Sequence, residues 1–132
     1  RFSANFVKLG FHPGFGLTHT LPQLIGQQKA NLMFLTGRRI KGEQAVEWGL
    51  ADVLTSQDLV REEAINLARE IAENAPLAVL SVRATIRQGL TERIKAQTDH
   101  ESKEQTWQRE TDDFKEGIRA VAERRLGNFQ GR

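Results

Sequence analysis

The side chains able to exchange protons near neutral pH are three histidines, His12, His19 and His100. None belongs to an HExxH string or to any other metal-ligand spacing. No Gly-x-Ser-x-Gly elbow presents a serine nucleophile. Cysteine is absent, which excludes disulfides, thiol nucleophiles and cysteine-held metals. Gly14-Phe15-Gly16 lacks the third glycine and the preceding strand of a dinucleotide-binding fingerprint. The most informative stretch is Leu9-Gly10-Phe11-His12-Pro13-Gly14-Phe15-Gly16-Leu17-Thr18. Proline fixes one dihedral there, and the glycines permit positive φ and close backbone approach. Such a loop can lay its backbone against a flat ligand. It can equally be a tight turn packed on its own core, with His12 and His19 structural or exposed.

The elements around the loop follow from periodicity. Leu17 to Ile25 reads as an apolar-periodic helix that the loop enters directly. Seven of the eleven glycines lie at or before Gly49, so the first part reads as turns, short helices and one strand edge. Ala51–Leu54 reads as a short strand. Val60, Ala64, Leu67, Ala68, Ile71 and Ala72 mark one face of a helix over 58–75, with Ser56 or Asp58 at its start. Pro76 suits a new helix start, where its missing N–H is not needed. Val79, Val82, Ile86, Leu90 and Ile94 continue that helix on one stripe, weakened at Gly89. Ser102 with Gln105 fits a capping box opening a polar helix through Trp107. Asp112 or Thr111 caps a last helix with Phe114, Ile118 and Val121 on its apolar face, and Gly127 reads as its stop. The stretch from Ile94 to Arg109 is mostly polar, and such a helix is rarely stable alone.

Composition removes several classes. The 132 residues make about one domain. Nineteen basic side chains face seventeen acidic ones, and the net charge of +2 gives no footprint for nucleic acid. The hydrophobic fraction of 39% and charged fraction of 27% suit a folded soluble chain. No apolar run is long enough to span a membrane, and the opening Arg-Phe-Ser-Ala-Asn is no signal peptide. The missing initiator Met suggests a piece of a longer chain. A reducing, cytoplasmic setting is compatible with the lack of cysteine.

Strings along the whole chain resemble the crotonase superfamily, the enoyl-CoA hydratase/isomerase enzymes. They are Leu9-Gly10-x-x-Pro13-Gly14-x-Gly16-x-Thr18-x-x-Leu21, Leu24-Ile25-Gly26 with Ala30, Leu35-Thr36-Gly37-Arg38-x-Ile40, and Ala45 with Gly49-Leu50-Ala51. Asn74-Ala75-Pro76, Asp113-x-x-Glu116-Gly117 and Arg124-Arg125-x-x-Asn128-Phe129 follow in the same order. What they match is the C-terminal half of a family member. The resemblance therefore implies a mainly α chain, the C-terminal half of the α/β ClpP/crotonase spiral fold. Residues 1–55 would be core with the acyl-pocket loop, and 56–132 the helical trimerisation region. The full-length protein would be a homotrimer or dimer of trimers.

The resemblance also implies chemistry on acyl-CoA thioesters. Two backbone N–H groups stabilise an enolate-like oxyanion, and carboxylates move protons. Both oxyanion donors belong to the family's other half, so this segment alone is expected to be inactive. Coenzyme A is part of the substrate, and no further cofactor or metal is implied. The glutamate of typical hydratases falls at Phe6, preceded by Asn5 where the family has proline. The aspartate of other relatives falls at Gly14. Neither position is acidic, which leaves His12 as the titratable group nearest the expected acyl pocket. That pocket would involve Phe6, Pro13, Gly14, Phe15, Gly16 and Trp107. Taken without the family, Phe6, Phe11 and Phe15 read as core and Trp107 as an interface anchor. Arg124 aligns with a residue that approaches coenzyme A, although a solvated helix end also suits it. Asp113 and Glu116 read as helix-start charges, and Lys8, Arg38 and Arg39 as surface charges. Two other classes stay open: a non-catalytic acyl-CoA-binding or assembly subunit, and a small helical interaction module.

Overall fold

The computed structural model describes residues 1–132. Its elements are β1 (Phe2–Ser3), a 3-10 turn (Phe6–Leu9), α1 (Leu17–Ile25), α2 (Gln27–Thr36), β2 (Arg39–Ile40) and α3 (Gly42–Glu47). Then follow α4 (Val60–Ala72), α5 (Pro76–Ile86), α6 (Leu90–Gln108) and α7 (Asp112–Ala122). The chain is thus mainly α. β1 and β2 pair antiparallel, Phe2 opposite Ile40 and Ser3 opposite Arg39. No helix is long and apolar enough to cross a membrane.

The core lies in the first third. Ala4, Leu21, Ile25, Ala30, Met33, Ile40 and Ala45 are buried together, with Leu17, Phe34 and Trp48 packed against them. α1 and α2 form its walls and join at Gly26, whose φ of +76° with ψ 158° suits only glycine. α4 and α5 bury no residue. Leu77, Leu80, Val82 and Ile86 are all more than half exposed. Only 14 of 132 residues are buried, too few for a closed core across the whole chain.

The two C-terminal helices instead return to the beginning of the chain. α6 packs on α1, and α7 packs on the Phe6–Leu9 turn. That second contact is backbone against backbone. Gly117 of α7 faces Leu9, and a Cβ built on Gly117 would sit 2.5 Å from the Leu9 carbonyl carbon. Gly10, at φ +76°, faces Asp113 in the same way, its Cβ site 2.5 Å from the Asp113 oxygen.

Several local expectations change. The stripe drawn from Val79 to Ile94 is two helices, because Gly89 adopts φ +68° and starts α6. Ser102 and Gln105 lie inside α6, so no helix opens there. Residues 51–54 form no strand; the strand pairing is made by the chain ends flanking α1 and α2. α4 begins at Val60 without a side-chain cap, and the Ser56 hydroxyl instead bonds the Asp58 carboxyl, holding its pKa below the usual value. α7 stops at Ala122, five residues before Gly127, and the next turn closes with Arg124 at φ +56°. Its start is as read: the Thr111 hydroxyl accepts from the Phe114 N–H at 3.1 Å.

Candidate functional site

The loop from Leu9 to Thr18 ends in strain. Phe15 and Gly16 both hold positive φ, +66° and +69°. A positive φ on an aromatic residue is an outlier that surrounding structure must enforce. The enforcing structure is the polar helix α6. Gln97, Glu101, Gln105 and Gln108 recur at helical spacing and point one face at the loop. The Gln97 amide donates to the Thr18 hydroxyl at 2.8 Å. The Glu101 carboxylate accepts from the Gly16 N–H at 2.6 Å, the Thr18 N–H at 2.9 Å and the Thr18 hydroxyl. The Gln105 amide donates to the His12 carbonyl at 2.9 Å, and the Gln108 side-chain oxygen accepts from the His12 N–H.

This arrangement explains how a polar helix is stable here: its inward face is satisfied by loop backbone rather than by apolar packing. Glu101 is only 1% exposed and fully partnered. It also caps α1, whose first residues have no side-chain cap of their own. Because Glu101 occupies those N–H groups, the start of α1 cannot cradle a phosphate. Sequence reading missed Glu101, since a single acid in a polar helix shows no local partner.

The loop borders a cavity of about 490 Å³. Its walls include Val7, Phe11, His12, Pro13 and Thr18 from the loop side, Asn31, Phe34 and Leu35 from α2, and Trp107, Gln108 and Thr111 from the C-terminal helices. Three of the residues picked from sequence therefore meet there: His12, Pro13 and Trp107. Trp107 is 58% exposed, its indole N–H bonded to Glu104 at 3.1 Å. Gly14 and Gly16 are buried behind the loop rather than lining the cavity. A Cβ on Gly14 would lie 2.7 Å from the Gln105 amide nitrogen, so an acidic side chain there would displace the clamp. Phe6 packs edge-on to Phe11 at 5.5 Å, and Phe11 in turn on Phe114 at 5.4 Å. Phe15 is 87% exposed, so its core reading fails; the positive φ turns the ring outward. Arg124 is exposed beyond α7 and does not line the cavity.

His12 has one ring nitrogen committed. Nδ1 lies 2.8 Å from the Pro13 carbonyl oxygen, which can only accept, so Nδ1 carries the hydrogen in the neutral ring. The Nε2 lone pair is then the basic position. His100, given no role from sequence, stands edge-on to His12 at 5.9 Å. His19 lies half-buried on α1, away from the cavity.

Asp113 and Glu116 do more than mark a helix start. The Asp113 carboxylate accepts from the Gln130 and Gly131 N–H groups at 2.7 and 2.8 Å. Glu116 accepts from the two terminal guanidinium nitrogens of Arg125 and from the Asn128 N–H. Together they strap residues 128–132 across the cavity edge, where Gly131 and Arg132 form part of the wall. The Arg125 guanidinium, then the Asn128 N–H, lower the Glu116 pKa to about 2. Stability from this depressed carboxyl is complete above its ordinary 4.5 and is lost as pH falls toward about 2. Glu116→Gln is expected to flatten the acid limb of a stability–pH curve between those values, and an unchanged acid limb would show that Glu116 does not hold the strap.

Comparison with known proteins matches these features to one family. The enoyl-CoA hydratase/isomerase family profile matches residues 1–132. The chain is 33% identical over 132 residues to a 2,3-dehydroadipyl-CoA hydratase of Escherichia coli, covering all of this chain and 52% of that protein. It is 37% identical over 118 residues to a short-chain-enoyl-CoA hydratase of Clostridioides difficile, covering 89% of this chain and 76% of that one. Among solved structures, a carnitinyl-CoA hydratase from Mycobacterium avium superposes with a TM-score of 0.89 at 28% identity, over 99% of this chain and 51% of that chain. The chain spans about half the length of most of the relatives it matches. With a profile that runs its whole length and a fold that superposes almost throughout, the chain belongs to the enoyl-CoA hydratase/isomerase family.

Proposed function

We propose that this chain supplies the C-terminal half of an enzyme acting on acyl-CoA thioesters, with the His12–Thr18 loop and Trp107 forming one wall of its acyl site. The observation that carries this reading is a backbone-clamped loop bordering an open cavity and presenting His12 with Nε2 uncommitted. Coenzyme A enters as part of the substrate. Oxyanion donors from the remainder of the enzyme would stabilise the thioester enolate. His12 Nε2 would take the proton released from the acyl chain and return it, because imidazole exchanges protons near neutral pH.

The carboxylates near the loop are poorly placed for that task. Glu101 is consumed by the start of α1 and Asp113 by the strap. Phe6 belongs to an aromatic cluster. A two-glutamate addition of water is therefore disfavoured, and isomerisation or another enolate reaction fits better. The exposed apolar residues of α4 and α5 support burial against further polypeptide in the assembled enzyme, a trimer or a dimer of trimers.

The test follows the conjugated-thioester absorbance of crotonyl-CoA with the complete protein, beside an Asn5→Pro/Phe6→Glu variant. Loss of absorbance with the wild type supports acyl-CoA turnover. A gain confined to the variant assigns the wild type to another thioester reaction or to binding alone. No affinity of either protein for acyl-CoA rejects the reading.

A further inference from the structure

We propose that Glu101 is the positioning residue that holds the His12–Thr18 loop in its working shape. The inference rests on the acyl-CoA reading for its kinetic consequence, although not for its structural one. Glu101 sits seven residues before Gln108 on α6 and is buried to 1% exposure. Its two oxygens take three donors, all from the segment that closes the loop and opens α1. Two of them lie just after the strained residue: the Gly16 N–H follows Phe15 directly, and the Thr18 N–H belongs to the first turn of α1. A carboxylate has no hydrogen to offer, so it can serve all three donors at once. Charge-assisted hydrogen bonds of this kind are about twice as strong as neutral ones.

The other contacts of α6 depend on this one. Gln105 and Gln108 hold both peptide groups of His12 one and two turns further along. A shift of Gly16 and Thr18 away from α6 would carry His12 off those glutamines and move its ring relative to the cavity. Glu101 neither bonds His12 nor lines the cavity, so it acts through the loop.

Glu101→Gln keeps the volume and helix propensity but turns an amide N–H toward one of the three donors. Thr18→Val is milder: it removes the hydroxyl, and with it the Gln97 bond, but leaves both backbone bonds to Glu101. The first measurement is amide exchange in the complete protein without ligand. Glu101→Gln is expected to speed exchange at Gly16 and Thr18 at least tenfold while Ala30 and Met33 in the core keep their protection. The second is turnover of acyl-CoA. A misplacement of about 1 Å can cost about a hundredfold in rate, so kcat should fall tenfold or more with KM within threefold. Thr18→Val should give a smaller change of the same kind.

Unchanged exchange at Gly16 and Thr18, or exchange that speeds equally in the core, overturns the proposal. So does a Glu101→Gln enzyme whose kcat matches the wild type. If the wild type turns over no acyl-CoA while Gly16 and Thr18 still lose protection selectively, the positioning role stands and the acyl-CoA reading falls.

Discussion

Gly117→Ala is expected to destabilise the protein by about 2 kcal/mol, although alanine is the better helix former by about 1 kcal/mol. The two effects have opposite signs, and the contact distances decide between them. A Cβ on Gly117 would lie 2.5, 2.7 and 2.8 Å from the carbonyl carbon, oxygen and Cα of Leu9. These are backbone atoms that cannot rotate aside, so α7 or the Phe6–Leu9 turn must shift. Gly10→Ala meets Asp113 backbone just as closely and adds the cost of a positive φ, about 1 kcal/mol or more. Gly26→Ala isolates backbone strain, because its φ of +76° with ψ 158° suits only glycine while nothing lies within 4 Å of the added Cβ. Chemical denaturation of the complete protein measures all three. A Gly117→Ala protein at least as stable as the wild type would show that α7 does not dock on the turn.

His12→Gln is expected to lower kcat on acyl-CoA by about a hundredfold or more, the usual range for a removed proton carrier being about 10²–10⁴. Glutamine keeps the backbone bonds to Gln105 and Gln108 and can still donate to the Pro13 carbonyl, so the loop should hold its shape. What is lost is the exchangeable lone pair at Nε2. Binding of a saturated acyl-CoA should change little. Full turnover by His12→Gln would place the proton carrier elsewhere and leave His12 as a wall of the cavity.

The fold was legible where one local signal settled the outcome. The Leu17–Ile25 pattern gives α1 to the residue, and Thr111 caps α7 through the Phe114 N–H. Pro76 begins α5 as its missing N–H allows. Reading failed where two signals competed. The apolar stripe runs straight through Gly89, yet the glycine turns to positive φ and breaks the helix there. The capping-box spacing at Ser102 is outweighed by a helix already running.

The site was legible in part. The glycine loop, His12, Pro13 and Trp107 stand out by residue type, and the structure places these side by side. The clamp was not legible, because Glu101, Gln105 and Gln108 bond to loop backbone, and Gln97 to the Thr18 hydroxyl, 79 to 96 residues away. Polar residues at helical spacing look like a solvated face until their partners are known. The same holds for Asp113 and Glu116, whose partners are the main chain of residues 128–131 and, for Glu116, the Arg125 guanidinium.

The most direct measurement is photo-crosslinking of the complete protein with an acyl-CoA that carries a diazirine at the end of its acyl chain. Mass spectrometry then locates the modified residues. Adducts on 11–18 and 104–111, competed away by unlabelled acyl-CoA and reduced in Glu101→Gln, are the expected result. Efficient labelling that leaves both stretches untouched would contradict the placement of an acyl site on the His12–Thr18 loop.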